Sequence, residues 1–292
     1  MRRSIVTGLS LRYNSLMSTP MHIKKSSGLD AEFSKKKLEK SLRSAGADET
    51  LVTKIASQIE REIKPGMNTT DIYALARSYL KRHAPAAAAA KYSLKRAIME
   101  LGPTGYPFEQ FFGQLLAAQG YKTHVSVKVD GVCVSHEIDV LAYQGDVTSF
   151  IECKFHNHPG YTTNVKVPLY IYSRFLDIRE AFARNERGRN YEGWVVTNTS
   201  FSKDALTYGT CKGLKLIGWT YPKEGNLQQM IEMSGLHPVT CLTSINEKTK
   251  AYLMKHNVVL CRQAREREDL LRQAGLHDAD ITALKTEIDG LF

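Results

Sequence analysis

The 292-residue chain has five cysteines, at positions 133, 153, 211, 241 and 261, and no two of them form a CxxC pair. An odd number at those spacings excludes a zinc ribbon and a closed disulfide framework, so reduced thiols in a cytoplasmic protein are expected. No apolar run approaches the roughly 20 residues that cross a bilayer, and a soluble chain is expected. The P-loop pattern is missing too, so any nucleotide would be sensed rather than used as motor fuel. The first 20 residues contain Arg2, Arg3 and Arg12 but no acid. Their apolar run is broken by Ser, Thr and Gly, which argues for a disordered leader, with Met21 as an alternative start, rather than a targeting peptide.

Charge of one sign is abundant in one place. Residues 1–100 hold 19 Lys and Arg against nine Asp and Glu, a net +10, whereas residues 101–224 carry +1 and residues 225–292 carry −1. A surplus confined to the N-terminal third suggests a phosphate-bearing partner, nucleotide or nucleic acid, although a solvated lysine face reads the same way.

Periodicity divides the chain at the same places. From Met21 to about Met99 apolar residues recur at helical spacing, as in Leu51, Val52, Ile55, Ile59 and Ile63. Pro65-Gly66 and Pro85 punctuate these helices, and Ala86 to Ala90 reads as a helix start. From residue 101 a helix stripe of Phe108, Phe111, Phe112, Leu115 and Leu116 precedes three strand-like runs, Tyr121 to Val129, Val132 to Tyr143 and Val147 to Phe155. A helix over Val167 to Asn185, a strand Gly193 to Thr197, a short helix near Ser202 to Tyr208 and a strand Leu214 to Trp219 complete an αβββαβαβ order, which predicts a mixed sheet flanked by helices. From about Leu227 the chain is polar and helical, with units at Ile245 to Met254 and Glu266 to Leu291, the second interrupted at Ala274-Gly275-Leu276.

Charged residues inside two of these strands need explaining. In His136-Glu137-Ile138-Asp139-Val140 and Ile151-Glu152-Cys153-Lys154, alternation puts Glu137 and Asp139 on one face and Glu152 and Lys154 on one face. If the strands pair through Gln144-Gly145-Asp146, Asp139 lies beside Glu152. Two carboxylates so close repel each other unless a cation intervenes. Asp139, Glu152 and the Cys153 carbonyl offer the hard oxygens that Mg²⁺ or Mn²⁺ prefers. Lys154 could then stabilise charge developing on a phosphodiester, with Glu109 completing the cluster if its helix crosses the site. A structural pairing of Lys154 with Glu152 is the competing reading, and it leaves an excess of buried negative charge.

The segment from Tyr106 to about Trp219 resembles a PD-(D/E)XK nuclease domain of the Mrr restriction endonuclease type, through Phe108-Glu109, Glu137-Ile138-Asp139-Val140 and Ile151-Glu152-Cys153-Lys154. The resemblance implies metal binding by Asp139 and Glu152, action of Lys154 on the water or transition state, and assistance from Glu109. His156 and His158, just beyond Lys154, could touch DNA phosphate or move protons. Lys166, Tyr170, Tyr172, Arg174 and Arg179 mix basic and aromatic residues as a DNA-facing helix does, and core packing explains the tyrosines equally. Met21 to about Met99 resembles an ATP-cone, through Ile23-Lys24-Lys25-Ser26-Ser27-Gly28, Phe33 to Leu38, Thr69 to Tyr73 and Lys91-Tyr92. That likeness implies ATP or dATP as a regulatory ligand, with Lys25, Lys37 and Lys91 on its phosphates. Ser26-Ser27 replace the family's Arg-Asp and remove one cationic contact. The C-terminal segment weakly resembles paired helix-hairpin-helix units, with Gly275 as its sole hairpin glycine, and suits a partner or homo-oligomer module equally well.

The expectation is therefore a multidomain α+β and α/β protein: a leader at 1–20, an ATP-cone at 21–100, a nuclease-like αβββαβ domain at 101–224 and a helical module at 225–292. Its expected activity is Mg²⁺-dependent DNA cleavage under nucleotide control, in restriction of foreign DNA. The alternatives are a nucleotide-sensing regulator and a DNA-binding protein without catalysis.

Overall fold

A computed structural model describes residues 21–25, 29–158, 160–185 and 188–291. The leader and the Ser26-Ser27-Gly28 turn lie outside the described residues. The N-terminal part opens with the antiparallel pair β1 (His22–Lys24) and β2 (Asp30–Glu32). Helices α1 (Lys35–Ser44), α2 (Glu49–Glu62), α3 (Thr69–His83), α4 (Ala86–Tyr92) and α5 (Leu94–Met99) follow. Side chains cap their starts: Ser34 accepts from the Lys37 N–H and Asp48 from the Leu51 N–H, while Asp71 reaches back to the Asn68 N–H at 3.1 Å. The predicted stripes are buried together, with Leu42, Val52, Ile59, Ala76 and Leu80 at the centre.

Helices α4 and α5 tie the chain together. Ala89 packs in the N-terminal core, Leu94 and Ile98 in the central core, and Ala87, Ala90 and Ala97 in the C-terminal core. Small side chains allow such close approach from several directions.

The central part runs α6 (Tyr106–Ala117), β3 (Lys122–Asp130), β4 (Ser135–Gln144), β5 (Val147–Lys154), β6 (Thr162–Thr163), α7 (Lys166–Asn185), β7 (Asn190–Thr197), β8 (Ser200–Phe201), α8 (Lys203–Cys211) and β9 (Lys215–Ile217). A five-stranded mixed sheet has the order β3-β4-β5-β7-β9, antiparallel from β3 to β5 and parallel from β5 to β9. Helix α6 covers one face, and α7 and α8 cover the other. The β7 run Trp194-Val195-Val196 is apolar on both faces because both are covered. A Cβ on Gly113 of α6 would sit 2.8 Å from Val125 Cγ2, so the missing side chain lets α6 lie close on the sheet.

Two sequence expectations fail here. The strand predicted from Val132 starts at Ser135, because Asp177 of α7 ties down the preceding loop by accepting the Cys133 N–H at 2.8 Å and contacting His136 Nε2 at 2.7 Å. Strict alternation along β3 and β4 also breaks. Val125 and Val140 pack with the α6-side core, whereas Val127 and Ile138 pack with the α7-side core. Both paired strands change face between these positions, at Ser126, whose φ is 53°, and at Asp139 opposite it. A local kink of this kind re-aims a side chain next to a site.

The chain closes with α9 (Leu227–Ser234), α10 (Glu247–Lys255), α11 (Cys261–Glu266), α12 (Glu268–Gln273) and α13 (Asp278–Asp289). Helix α9 packs in the central core through Leu227, Met230 and Ile231. The other four helices share a second core with Ala87, Ala90 and Ala97 of α4 and α5, and Gly275 at φ 90° makes the expected break before α13. The buried thiols of Cys241 and Cys261 stand 3.8 Å apart and are free, as are the other three cysteines. No described helix is long and apolar enough to cross a membrane.

Candidate functional site

Strands β4 and β5 pair antiparallel up to Val140 opposite Ile151, so Asp139 and Glu152 come next in register. There the backbone ladder gives way to a side chain: Asp139 Oδ2 accepts the Cys153 N–H at 2.7 Å. An open, polar cavity of about 520 Å³ lies at this strand end, and Glu109, Asp139, Glu152 and Lys154 all line it. Glu109 arrives on the first turn of α6 and accepts from Ser126 Oγ at 3.2 Å. The four residues expected to act together are therefore neighbours, drawn from three elements. Cys153 contributes its backbone only, since its thiol is buried in the core, where burial holds it well above the usual thiol range.

The cavity's electrostatics are those of crowded acids. Burial, and then the Glu152 carboxylate, push the Asp139 carboxyl up to about 7, against the lowering effect of the Cys153 N–H. Glu109 is also raised, first by burial and then by Glu137 and Glu152, while Ser126 opposes the shift. Beside them, burial and the Lys154 ammonium hold the His156 imidazole below its ordinary value, which favours its neutral form.

Glu152 has a cationic partner that sequence reading did not assign. Arg174 of α7 donates to Glu152 Oε2 at 2.9 Å, also donates to the Tyr170 hydroxyl and the Glu137 carbonyl, and stacks over the Tyr170 ring at 5.3 Å. Tyr170 and Arg174 are thus turned to the acidic cluster. Among the described residues no group of three or more His, Cys, Asp or Glu is arranged to hold a metal ion, consistent with one carboxylate being drawn off to the guanidinium and another to a backbone N–H. The i, i+4 spacing of Tyr170 and Arg174 was the available sequence signal. Buried Asn198 was missed outright: it accepts the His156 N–H at 2.8 Å and donates to the His156 carbonyl at 2.6 Å, fixing the chain just after Lys154. A lone Asn after a strand gives no pattern to read.

A second, larger cavity of about 1050 Å³ opens between the N-terminal and central parts. Lys24, Lys25, Lys95 and Arg96 line it together with Asn68, Thr69 and Thr70 at the start of α3 and the Tyr73 ring. Cations beside a helix N-terminus suit a polyphosphate. Of the three lysines expected at the nucleotide, Lys25 is in this cavity. Lys37 is exposed on the first turn of α1, and Lys91 lies at the end of α4, where its charge acts on His237.

Comparison with known proteins gives the N-terminal part a name: residues 21–100 match the ATP cone domain. Residues 237–292 match the AF1548-like, C-terminal family. An uncharacterized protein of Archaeoglobus fulgidus is 39% identical over 164 residues, 56% of this chain and 89% of that protein. The crystal structure of a protein of unknown function, AF1548, matches with 35% identity and a TM-score of 0.53, over 64% of this chain and 100% of that one. The MspJI restriction endonuclease, solved with a 27-mer oligonucleotide, matches at 15% identity and a TM-score of 0.28, over 50% of this chain and 35% of that one, too slight a likeness to bear on fold or activity. The chain is thus an ATP-cone protein of mixed α/β architecture, and it belongs to the AF1548-like family.

Proposed function

We propose that this protein is a divalent-metal-dependent DNA endonuclease whose ATP-cone reports nucleotide state, ATP or dATP, to the cutting site. The observation that carries the reading is the convergence of Glu109, Asp139, Glu152 and Lys154 on one open polar cavity, with Asp139 and Glu152 next to each other in register. The donor chemistry fits Mg²⁺ or Mn²⁺: hard carboxylate oxygens of Asp139 and Glu152 with the Cys153 carbonyl, in a cluster where burial and then the Glu152 charge push Asp139 towards its protonated form. Such an ion, when bound, would make water a better nucleophile and stabilise phosphate charge. Lys154 would place an ammonium group against the scissile phosphate. Glu109, raised by burial, would hold or return a proton at the cavity rim. Arg174 would orient Glu152 and restrain it when no cation is present.

Incubating plasmid with the purified chain and Mg²⁺ or Mn²⁺ tests this. Cleavage should vanish with EDTA, with Asp139→Ala and with Lys154→Ala, and cleavage that survives both substitutions would sink the site. The Arg174–Glu152 pair favours a second reading, a nucleotide-sensing DNA-binding protein whose acids are structural. That reading expects duplex binding without strand breaks under every metal condition.

A further inference from the structure

The nucleotide cavity and the acidic cavity share walls. Asn157 and Tyr161, from the segment that leaves β5 directly after Lys154, line both. Tyr161 is 57% exposed, unusual for so large a ring, and it stacks on His156 with centroids 5.8 Å apart and planes 14° apart, with His158 also 5.8 Å away. An exposed aromatic face beside a polycationic cavity is suited to a base stacked at one end and a polyphosphate held at the other. About 1050 Å³ is at the upper end of the usual volume for a small-molecule site and can hold a nucleoside triphosphate.

Resting on the reading of the ATP-cone as a nucleotide-binding domain, we infer that the nucleotide site is composite: Lys24, Lys25 and Lys95 take the triphosphate, and Tyr161 and His158 of the central part take the base. The segment is anchored at both ends. His156 is clamped by Asn198 and contacts Thr163 at 3.1 Å, and Thr162–Thr163 pairs in parallel with Ser200–Phe201. Between these anchors, Asn157 and Tyr161 stand in the walls of both cavities. A base stacked on Tyr161 therefore fixes a wall of the cavity that contains Glu109, Asp139, Glu152 and Lys154. Nucleotide state reaches the acids through one ring, without a change in sheet or helices.

The test is ATP binding to the full chain by calorimetry, with tripolyphosphate as a ligand that lacks a base. Tyr161→Ala, at an exposed position that should not disturb folding, is expected to weaken ATP by about tenfold or more, while tripolyphosphate binding stays as in the unsubstituted protein. Lys25→Ala should weaken both ligands. Equal ATP affinity in Tyr161→Ala, His158→Ala and the unsubstituted chain would overturn the composite site and leave the nucleotide reading standing. Absence of ATP binding to the unsubstituted chain would instead remove the nucleotide reading itself. Loss of duplex DNA binding in Tyr161→Ala, with ATP unaffected, would assign the ring to DNA and likewise overturn the inference.

Discussion

Asp139→Asn separates the cost of the acidic cluster from its use. The carboxyl titrates near 7 in the folded chain, raised by burial and Glu152, against an ordinary value of 3.8. That gap corresponds to about 4 kcal/mol as an upper figure. Its sign follows from which state binds the proton. Below pH 3.8 both states are protonated and nothing is lost. Between about 4 and 7 the unfolded chain is ionised while the folded chain keeps its proton, so stability falls by about 1.4 kcal/mol per pH unit. Above 7 the loss is complete. Asn keeps an oxygen for the Cys153 N–H and carries no charge, so it escapes this loss. Urea unfolding in EDTA should therefore show the Asn protein gaining on the unsubstituted one by about 3 kcal/mol between pH 5 and pH 8. Glu109 is shifted in the same direction, so a weaker fall with pH should persist in the variant. A variant less stable than the parent at pH 8, or a difference flat with pH, would refute the reasoning. Adding Mg²⁺ at pH 8 should raise the melting temperature of the parent and leave Asp139→Asn nearly unmoved.

Other perturbations probe the surroundings of the cluster. Arg174→Ala removes the partner of a mostly buried carboxylate and should cost about 3 kcal/mol in EDTA, measured by urea unfolding, while enlarging the stabilisation that Mg²⁺ gives, because Glu152 is released to the cation. Asn198→Ala leaves the His156 N–H and carbonyl unpaired and should cost about 2–4 kcal/mol, with hydrogen exchange speeding up first over residues 155–161. Gly113→Ala puts a methyl 2.8 Å from Val125 and should cost about 1–3 kcal/mol by thermal melting, with cleavage falling more than stability because α6 carries Glu109.

Much of this architecture is legible in the order of residues. The stripe Phe108, Phe111, Phe112, Leu115 and Leu116 is a buried helix face, and the runs ending at Phe155 and Thr197 are strands of one sheet. Hydrophobic period and turn residues carry that information locally. What escaped is what depends on partners distant in sequence. Arg174 meets Glu152 because a parallel crossover lays α7 over the sheet, and no spacing within α7 specifies that contact. The loop at Gly131–Val134 looks like strand because its valines have strand propensity, and Asp177, more than 40 residues away, overrides it.

By itself the sequence determined the basic N-terminal third, the cone, the element order and the identities of the acids and lysine, since composition, period and turn chemistry are properties of short stretches. Tertiary structure decided where those groups point. Ser126 and Asp139 break the alternation of two strands together, Arg174 takes up Glu152, and Asn157 and Tyr161 become a common wall of two cavities. Each of these outcomes is a contact between segments far apart in the chain, and contacts of that kind exist only once the core has closed.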